Sequence, residues 1–216
     1  WELAQGPVVG HDYAAGQDCA GRRKDGDLDS VSLVDALDGN NRLHVGRFIG
    51  RTSPLPMVET ALPWLRQYHE AYWAIERTGG WGDNALKAVE ATYPGGRIYK
   101  RPSGLKEDFD KYAQEARGFE TTEASKTRII QGLIDDFSQG RFKTFFPDTL
   151  QMFANYDPAT GAHTPDELIS LALANDVAKD RRVWRERVAA APAMRGGRRV
   201  EQQGWDRQPA QPFVLR

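Results

Sequence analysis

Two apolar stretches in this chain stop at a carboxylate and are followed by a glycine-rich turn. One is Pro7-Val8-Val9-Gly10-His11-Asp12 before Tyr13-Ala14-Ala15-Gly16, and the other is Ala71-Tyr72-Trp73-Ala74-Ile75-Glu76 before Arg77-Thr78-Gly79-Gly80-Trp81-Gly82. Each reads as an inner strand ending in an acid, and open α/β sheets bind ligands at their strand ends. A third acidic point, Asp166 and Glu167, follows Thr164-Pro165 at the start of a helical pattern. Taken singly, each acid is also explained by turn capping, an arginine partner or the favourable field of a helix N-terminus. Taken together, carboxylates from separate elements are what two divalent ions need in order to stabilise both oxygens of an in-line phosphoryl displacement. Such hard oxygen ligands suit Mg²⁺ or Mn²⁺. His11 precedes Asp12 and points the other way on a strand, so it receives no role.

The elements that must position these acids can be read from periodicity. Strands are expected over 7–12, 28–37 and 42–49, the last two joined by the turn Asp38-Gly39-Asn40-Asn41. A proline-punctuated helix over 57–68 leads into the strand ending at Glu76, and a helix over 83–93 stops at Pro94-Gly95-Gly96 before a short strand at 97–100. An irregular stretch with a short helix at 107–117 follows, then an amphipathic helix over 125–140 with Ile129, Ile130, Leu133, Ile134 and Phe137 on one side. A strand at 142–146 and a short helix at 148–156 precede a long helix running to about residue 190, with Thr164 as N-cap, Pro165 at its first position and Glu167 at its third. The order predicts an α/β fold of the ribonuclease-H-like kind: a mixed sheet, three antiparallel strands first and parallel strands later, with helices on both faces.

Composition narrows the setting. The 216 residues, 27% charged and 40% hydrophobic, suit one domain, expected over 1–190, with a basic Gly-, Gln- and Pro-containing tail over 191–216. No apolar run approaches a membrane span, and the one cysteine, Cys19, excludes a disulfide framework or a cysteine-rich zinc site. A reducing cytoplasm fits this usage. Residues 179–216 carry ten Lys or Arg against four Asp or Glu, whereas residues 1–178 carry 19 against 26. A basic end on an acidic body is suited to phosphate contact, although a solvated helix face has the same composition. The chain opens on Trp1 without a targeting pattern, which points to a piece of a longer polypeptide. Gly79-Gly80-Trp81-Gly82 lacks the lysine and serine of a nucleotide-binding loop, so ATP hydrolysis is not expected of this segment.

Over residues 7–176 the sequence resembles the C-terminal nuclease domain of the large terminase subunit of tailed bacteriophages. The resemblance is carried by Val8 to Asp18, by Trp73 to Gly82, by Gly118-Phe119-Glu120-Thr121-Thr122 before Ser125-Lys126, by Gly161-Ala162-His163, and by Asp166-Glu167-Leu168-Ile169 leading to Leu171-Ala172-Leu173-Ala174. It implies a metal-dependent endonuclease that cleaves double-stranded DNA concatemers during viral genome packaging, using two Mg²⁺ or Mn²⁺ ions. The implied ligands are Asp12, shared by both ions, with Glu76 and Asp166; Glu167, Asp18 and Asp29 are further candidate ligands. Here the family's adjacent aspartate pair after histidine is replaced by His163-Thr164-Pro165-Asp166-Glu167, which leaves the third ligand open. Lys126 matches a lysine near the family's active site, and Lys126, Arg128 and Arg77 are the candidate DNA contacts. His163 is a candidate proton shuttle, a loop histidine beside a helix start being the plainer reading. The implied partners are double-stranded DNA, an N-terminal packaging ATPase domain of the same polypeptide, the viral portal and procapsid, and a small terminase subunit, with no membrane, in the host cell cytoplasm. A Holliday-junction resolvase-like nuclease of the same fold and a non-catalytic motor-docking or DNA-binding module are the alternatives. A sugar kinase or phosphatase is disfavoured because no phosphate-binding glycine pair lies beside Asp12.

Overall fold

The computed structural model describes residues 1–19, 28–37, 40–77, 80–100, 117–157 and 164–180. Its frame is a six-stranded mixed sheet. Strands β1 (Glu2–Leu3), β2 (Tyr13–Asp18), β3 (Asp29–Asp35), β4 (Arg42–Gly50) and β5 (Tyr72–Ile75) lie in the order β1-β4-β3-β2-β5, and β6 (Phe142–Thr144) pairs with β4 beside β1. β2, β3 and β4 are antiparallel neighbours, whereas β5 runs parallel to β2 and β6 parallel to β4. Helices α1 (Pro54–Gln67) and α2 (Trp81–Thr92) cover one face. Helices α3 (Glu123–Ser138) and α5 (Asp166–Ala178) cover the other, and α4 (Pro147–Asn155) follows β6.

The two faces follow from alternation along the strands. Tyr13 and Ala15 of β2 join Val31 and Leu33 of β3 under α1 and α2, while Ala14 of β2 and Ala74 of β5 meet α5. α5 is buried almost all round, with Leu168, Leu171, Ala172 and Ala174 fully enclosed, because α3 covers the side that the sheet does not. Its approach is close enough that Gly16 is required: a Cβ there would lie 2.2 Å from the Ser170 carbonyl oxygen and 2.5 Å from the Ala174 nitrogen.

A buried ion cluster pins the opposite end of α5. Asp136 accepts from Arg42 Nη2 at 2.8 Å, Lys179 Nζ at 2.6 Å, Arg141 Nε at 2.9 Å and Asn175 Nδ2 at 2.8 Å. Burial alone would raise its carboxyl, but these donors bring it down to about 2.

Several expected elements move. The first long strand is Tyr13–Asp18, not residues 7–12, because Gly10 adopts φ +85° and His11 N–H closes a turn onto Val8 O at 3.1 Å. The segment 97–100 forms a 3-10 turn, Gly95–Arg97, followed by single bridges from Ile98 and Lys100. α5 starts with Pro165 as N-cap and Asp166 as its first residue, so Thr164 is not the cap, and it ends at Ala178, well short of residue 190. The turn residues 38–39, the expected helix at 107–117 except Arg117, His163 and the tail over 191–216 lie outside the described residues.

Candidate metal centre

Parallel pairing sets Gln17 of β2 opposite Ile75 of β5, so the next residues, Asp18 and Glu76, reach the same sheet edge side by side. Glu76 N–H donates to Gln17 O at 2.9 Å, which fixes that register at its last rung. By alternation both side chains fall on the face of Ala14 and Ala74, the one α5 covers. Both are nearly enclosed, at 6% and 7% exposure. The Glu76 end is further clamped by Phe119, whose N–H donates to Ile75 O at 2.7 Å and whose carbonyl accepts from Arg77 N–H at 2.9 Å. α2 begins directly beside it: a Cβ at Gly82 would lie 1.7 Å from the Glu76 carbonyl oxygen.

Asp166 arrives on the first turn of α5. Its carboxylate accepts from Leu28 N–H at 2.7 Å, and its carbonyl accepts from Ser30 Oγ at 2.8 Å. Because Ser30 is paired with Asp18 across β2 and β3, these bonds bring Asp166 toward the Asp18–Glu76 edge. Burial raises the Asp18 carboxyl well above its ordinary range. The neighbouring Glu76 carboxyl and the field of Asp166 add to this, against a smaller opposing pull from Lys126.

Ionised acids gathered in a nearly enclosed place repel one another, and a divalent cation bound among them would relieve that repulsion. Among the described residues no three His, Cys, Asp or Glu side chains converge on one point at metal-binding distance; Asp18 and Glu76 converge as a pair, with Asp166 in electrostatic reach. An all-oxygen, acidic donor set of this kind fits Mg²⁺ or Mn²⁺.

Asp12 is not brought to this edge. It sits just before β2, six residues from Asp18, or roughly 20 Å along an extended strand. There its carboxylate lies 4.0 Å from Arg97 Nη2 and its carbonyl accepts from Ala36 N–H at 2.9 Å. Asp18, a secondary candidate in the sequence, stands where Asp12 was expected. Asp18-Cys19-Ala20-Gly21, like Asp12-Tyr13-Ala14-Ala15-Gly16, is an acid followed within a few residues by alanine and glycine, and Pro7 and Gly10 weaken the earlier strand, so a signal was present.

The other candidates separate as clearly. Asp29 is 1% exposed and falls with Val31 and Leu33 on the opposite face, where its charge acts on Cys19. Glu167 turns away from Asp18 and binds Arg47 Nη1 at 2.8 Å. Lys126 begins the second turn of a helix capped by Thr122, whose hydroxyl accepts from Ser125 N–H, and its ammonium acts on Asp18. Arg77 donates to Asp83 Oδ1 at 2.7 Å, and Arg128 grips Asp176 through two bonds of 3.0 Å, so both are engaged within the chain. Asp176 lies ten residues along α5 from Asp166, about 15 Å away.

The same architecture occurs in solved structures. The large terminase nuclease of thermophilic phage G20c with bound zinc superposes with a TM-score of 0.53 at 17% identity, covering 81% of this chain and 85% of that chain. Its form with bound magnesium gives 0.53 at 19% over the same shares, and the human cytomegalovirus terminase nuclease domain, Mn soaked and inhibitor bound, gives 0.52 at 14% over 78% and 83%. The fold is that of a terminase nuclease domain. No protein-family model matches the sequence, and no curated protein matches it. The likeness is therefore carried by the ribonuclease-H-like mixed sheet and its helices at under one identity in five. Among the described residues no helix is long and apolar enough to cross a membrane.

Proposed function

We propose that this chain is a divalent-metal-dependent endonuclease domain acting on double-stranded DNA, with Asp18, Glu76 and Asp166 as metal ligands. The observation that carries the reading is the burial of Asp18 and Glu76 side by side at the paired ends of β2 and β5, with Asp166 drawn toward them by Leu28 and Ser30. Bound Mg²⁺ or Mn²⁺, as one ion or two, would supply Lewis-acid activation of water and charge neutralisation at the phosphate. Asp18 is the acid on which both Glu76 and Asp166 act, which makes it the residue suited to sharing. Lys126 offers a cation to a phosphate oxygen at the same edge. Asp12 takes no part.

The terminase-like fold supports a role in viral genome packaging, in which the domain cuts concatemers while tethered to a packaging ATPase and docked on a portal in the infected cell. With Arg77 and Arg128 engaged in ion pairs, DNA contact falls to Lys126 and the basic residues beyond 180, giving backbone recognition and steep salt dependence. The test is nicking and linearisation of supercoiled plasmid with Mn²⁺, Mg²⁺ or EDTA, across several salt concentrations. Cleavage should require metal, vanish in Asp18→Asn and persist in Asp12→Asn. Metal-independent cleavage, or loss in Asp12→Asn with retention in Asp18→Asn, would overturn the assignment.

A further inference from the structure

β4 carries a buried cation, Arg47, that is not among the ligands, yet it is bonded to the helix turn that bears one of them. Arg47 is 6% exposed. Its guanidinium meets Glu2 Oε2 of β1 at 2.6 Å, Asp148 Oδ2 of α4 at 2.6 Å and Glu167 Oε1 of α5 at 2.8 Å, and it stacks 4.5 Å over the Phe146 ring. Thr149 Oγ1 donates to the same Glu167 oxygen at 3.2 Å. Three carboxylates around one guanidinium exceed what charge balance needs, so pairing alone does not account for the arrangement.

The start of α5 shows what it does. Pro165 is the N-cap and supplies no side-chain cap, so ordinary capping does not orient the first turn. Two sets of bonds replace it. Leu28 N–H and Ser30 Oγ hold Asp166 from the β3 side, and Arg47 with Thr149 holds the adjacent Glu167. Consecutive helical residues point about 100° apart, so fixing Glu167 toward Arg47 fixes Asp166 toward the Asp18 edge. If Glu167 were released, the first turn would be held from the β3 side alone, by the Leu28 and Ser30 bonds to Asp166.

We propose that Arg47 is a positioning residue for the metal centre: by holding Glu167 it sets the first turn of α5 so that Asp166 faces the Asp18–Glu76 pair. The inference rests on the metal-ligand reading above. Through Glu2, the N-terminal strand β1 is bonded to the same guanidinium, so the register of β1 on β4 reaches the metal centre through a single side chain.

The test measures Mn²⁺ affinity from the spin-resonance signal of the free ion, and plasmid cleavage at saturating Mn²⁺, for wild type, Arg47→Met, Arg47→Lys and Glu167→Gln. Val58→Ala, a cavity under α1 on the far face, serves as the control for destabilisation alone. All are compared well below their melting points. Arg47→Met should weaken Mn²⁺ binding and slow cleavage by about tenfold each, the range found when partners that orient metal ligands are removed. Arg47→Lys should recover part of both, and Val58→Ala should leave both within about twofold, being distant from the centre. Wild-type-like Mn²⁺ affinity and cleavage in Arg47→Met, or in Glu167→Gln should Arg47→Met fail to fold, would overturn the positioning role while leaving the nuclease reading intact. A wild type that neither binds Mn²⁺ nor cleaves would overturn both.

Discussion

Replacing Asp18 with asparagine should make the metal-free protein more stable and the metal-treated protein less responsive. Asp18 is 6% exposed and stands beside Glu76 at the paired ends of β2 and β5, with Asp166 adding negative field. Two unit charges about 4 Å apart repel by about 4 kcal/mol at an effective dielectric constant near 20. The raised affinity of Asp18 for a proton relieves part of this and leaves on the order of 1–3 kcal/mol for the substitution to remove. In a domain of this size 1 kcal/mol moves the midpoint by about 2–4 °C, so Asp18→Asn should melt about 2–12 °C higher in EDTA. Mn²⁺ at 100 times its dissociation constant should add about 2.7 kcal/mol to wild type, roughly 5–10 °C, because only the folded chain gathers the acids. Asp18→Asn should show less than about a third of that shift, and Asp12→Asn the full shift. Differential scanning fluorimetry with and without Mn²⁺ measures all of these. Equal Mn²⁺ shifts in wild type and Asp18→Asn would refute the reasoning, as would loss of the shift in Asp12→Asn instead.

Four further outcomes follow from the packing and the charges. Gly16→Ala forces a Cβ to 2.2 Å from the Ser170 carbonyl, and since backbone cannot yield as a side chain does, urea denaturation should show a loss of about 3 kcal/mol or more. Asp136→Ala leaves the buried Arg42 without its carboxylate and should cost about 3–5 kcal/mol, whereas Arg128→Ala, which breaks the more exposed pair with Asp176, should cost under about 1 kcal/mol. His44 is fully buried, which together with the nearby Arg47 charge lowers its pKa to about 3, so the folded protein resists the proton that the unfolded chain accepts below about 6.5. Its contribution is complete above that value and is lost as pH falls toward 3, at up to about 1.4 kcal/mol per unit. Replacing His44 with Asn should flatten that part of the stability profile. Asp136, depressed to about 2, contributes above about 4 and loses its share as pH falls through 2, so the final acid collapse should start earlier in Asp136→Asn.

Much of the frame was legible because strands and helices write their period into the chain. Val31, Leu33 and Val45 alternate with polar neighbours, and the structure has β3 and β4 where the alternation places them. The apolar stripe Ile129, Ile130, Leu133 is the buried side of α3, and the run into Glu76 is β5 with its acid one residue past the end. Glycines and prolines marked most of the breaks, and the mixed-sheet class followed from the order of elements.

What sequence periodicity could not decide was where elements meet. From 7 to 18 the chain is a succession of small and apolar residues containing two acids, and only the parallel pairing of β2 with β5 brings Asp18 rather than Asp12 to Glu76. Strand limits are set by the partner that supplies the hydrogen bonds, and the two acids differ by the length of the strand. Which way Asp166 and Glu167 face is likewise a matter of rotation about α5, and they are held by Leu28, Ser30 and Arg47 across sequence separations of more than a hundred residues. Local pattern determined that acids would stand at element ends; long-range pairing, helix rotation and the close fit of α5 on Gly16 decided which of them are brought near one another.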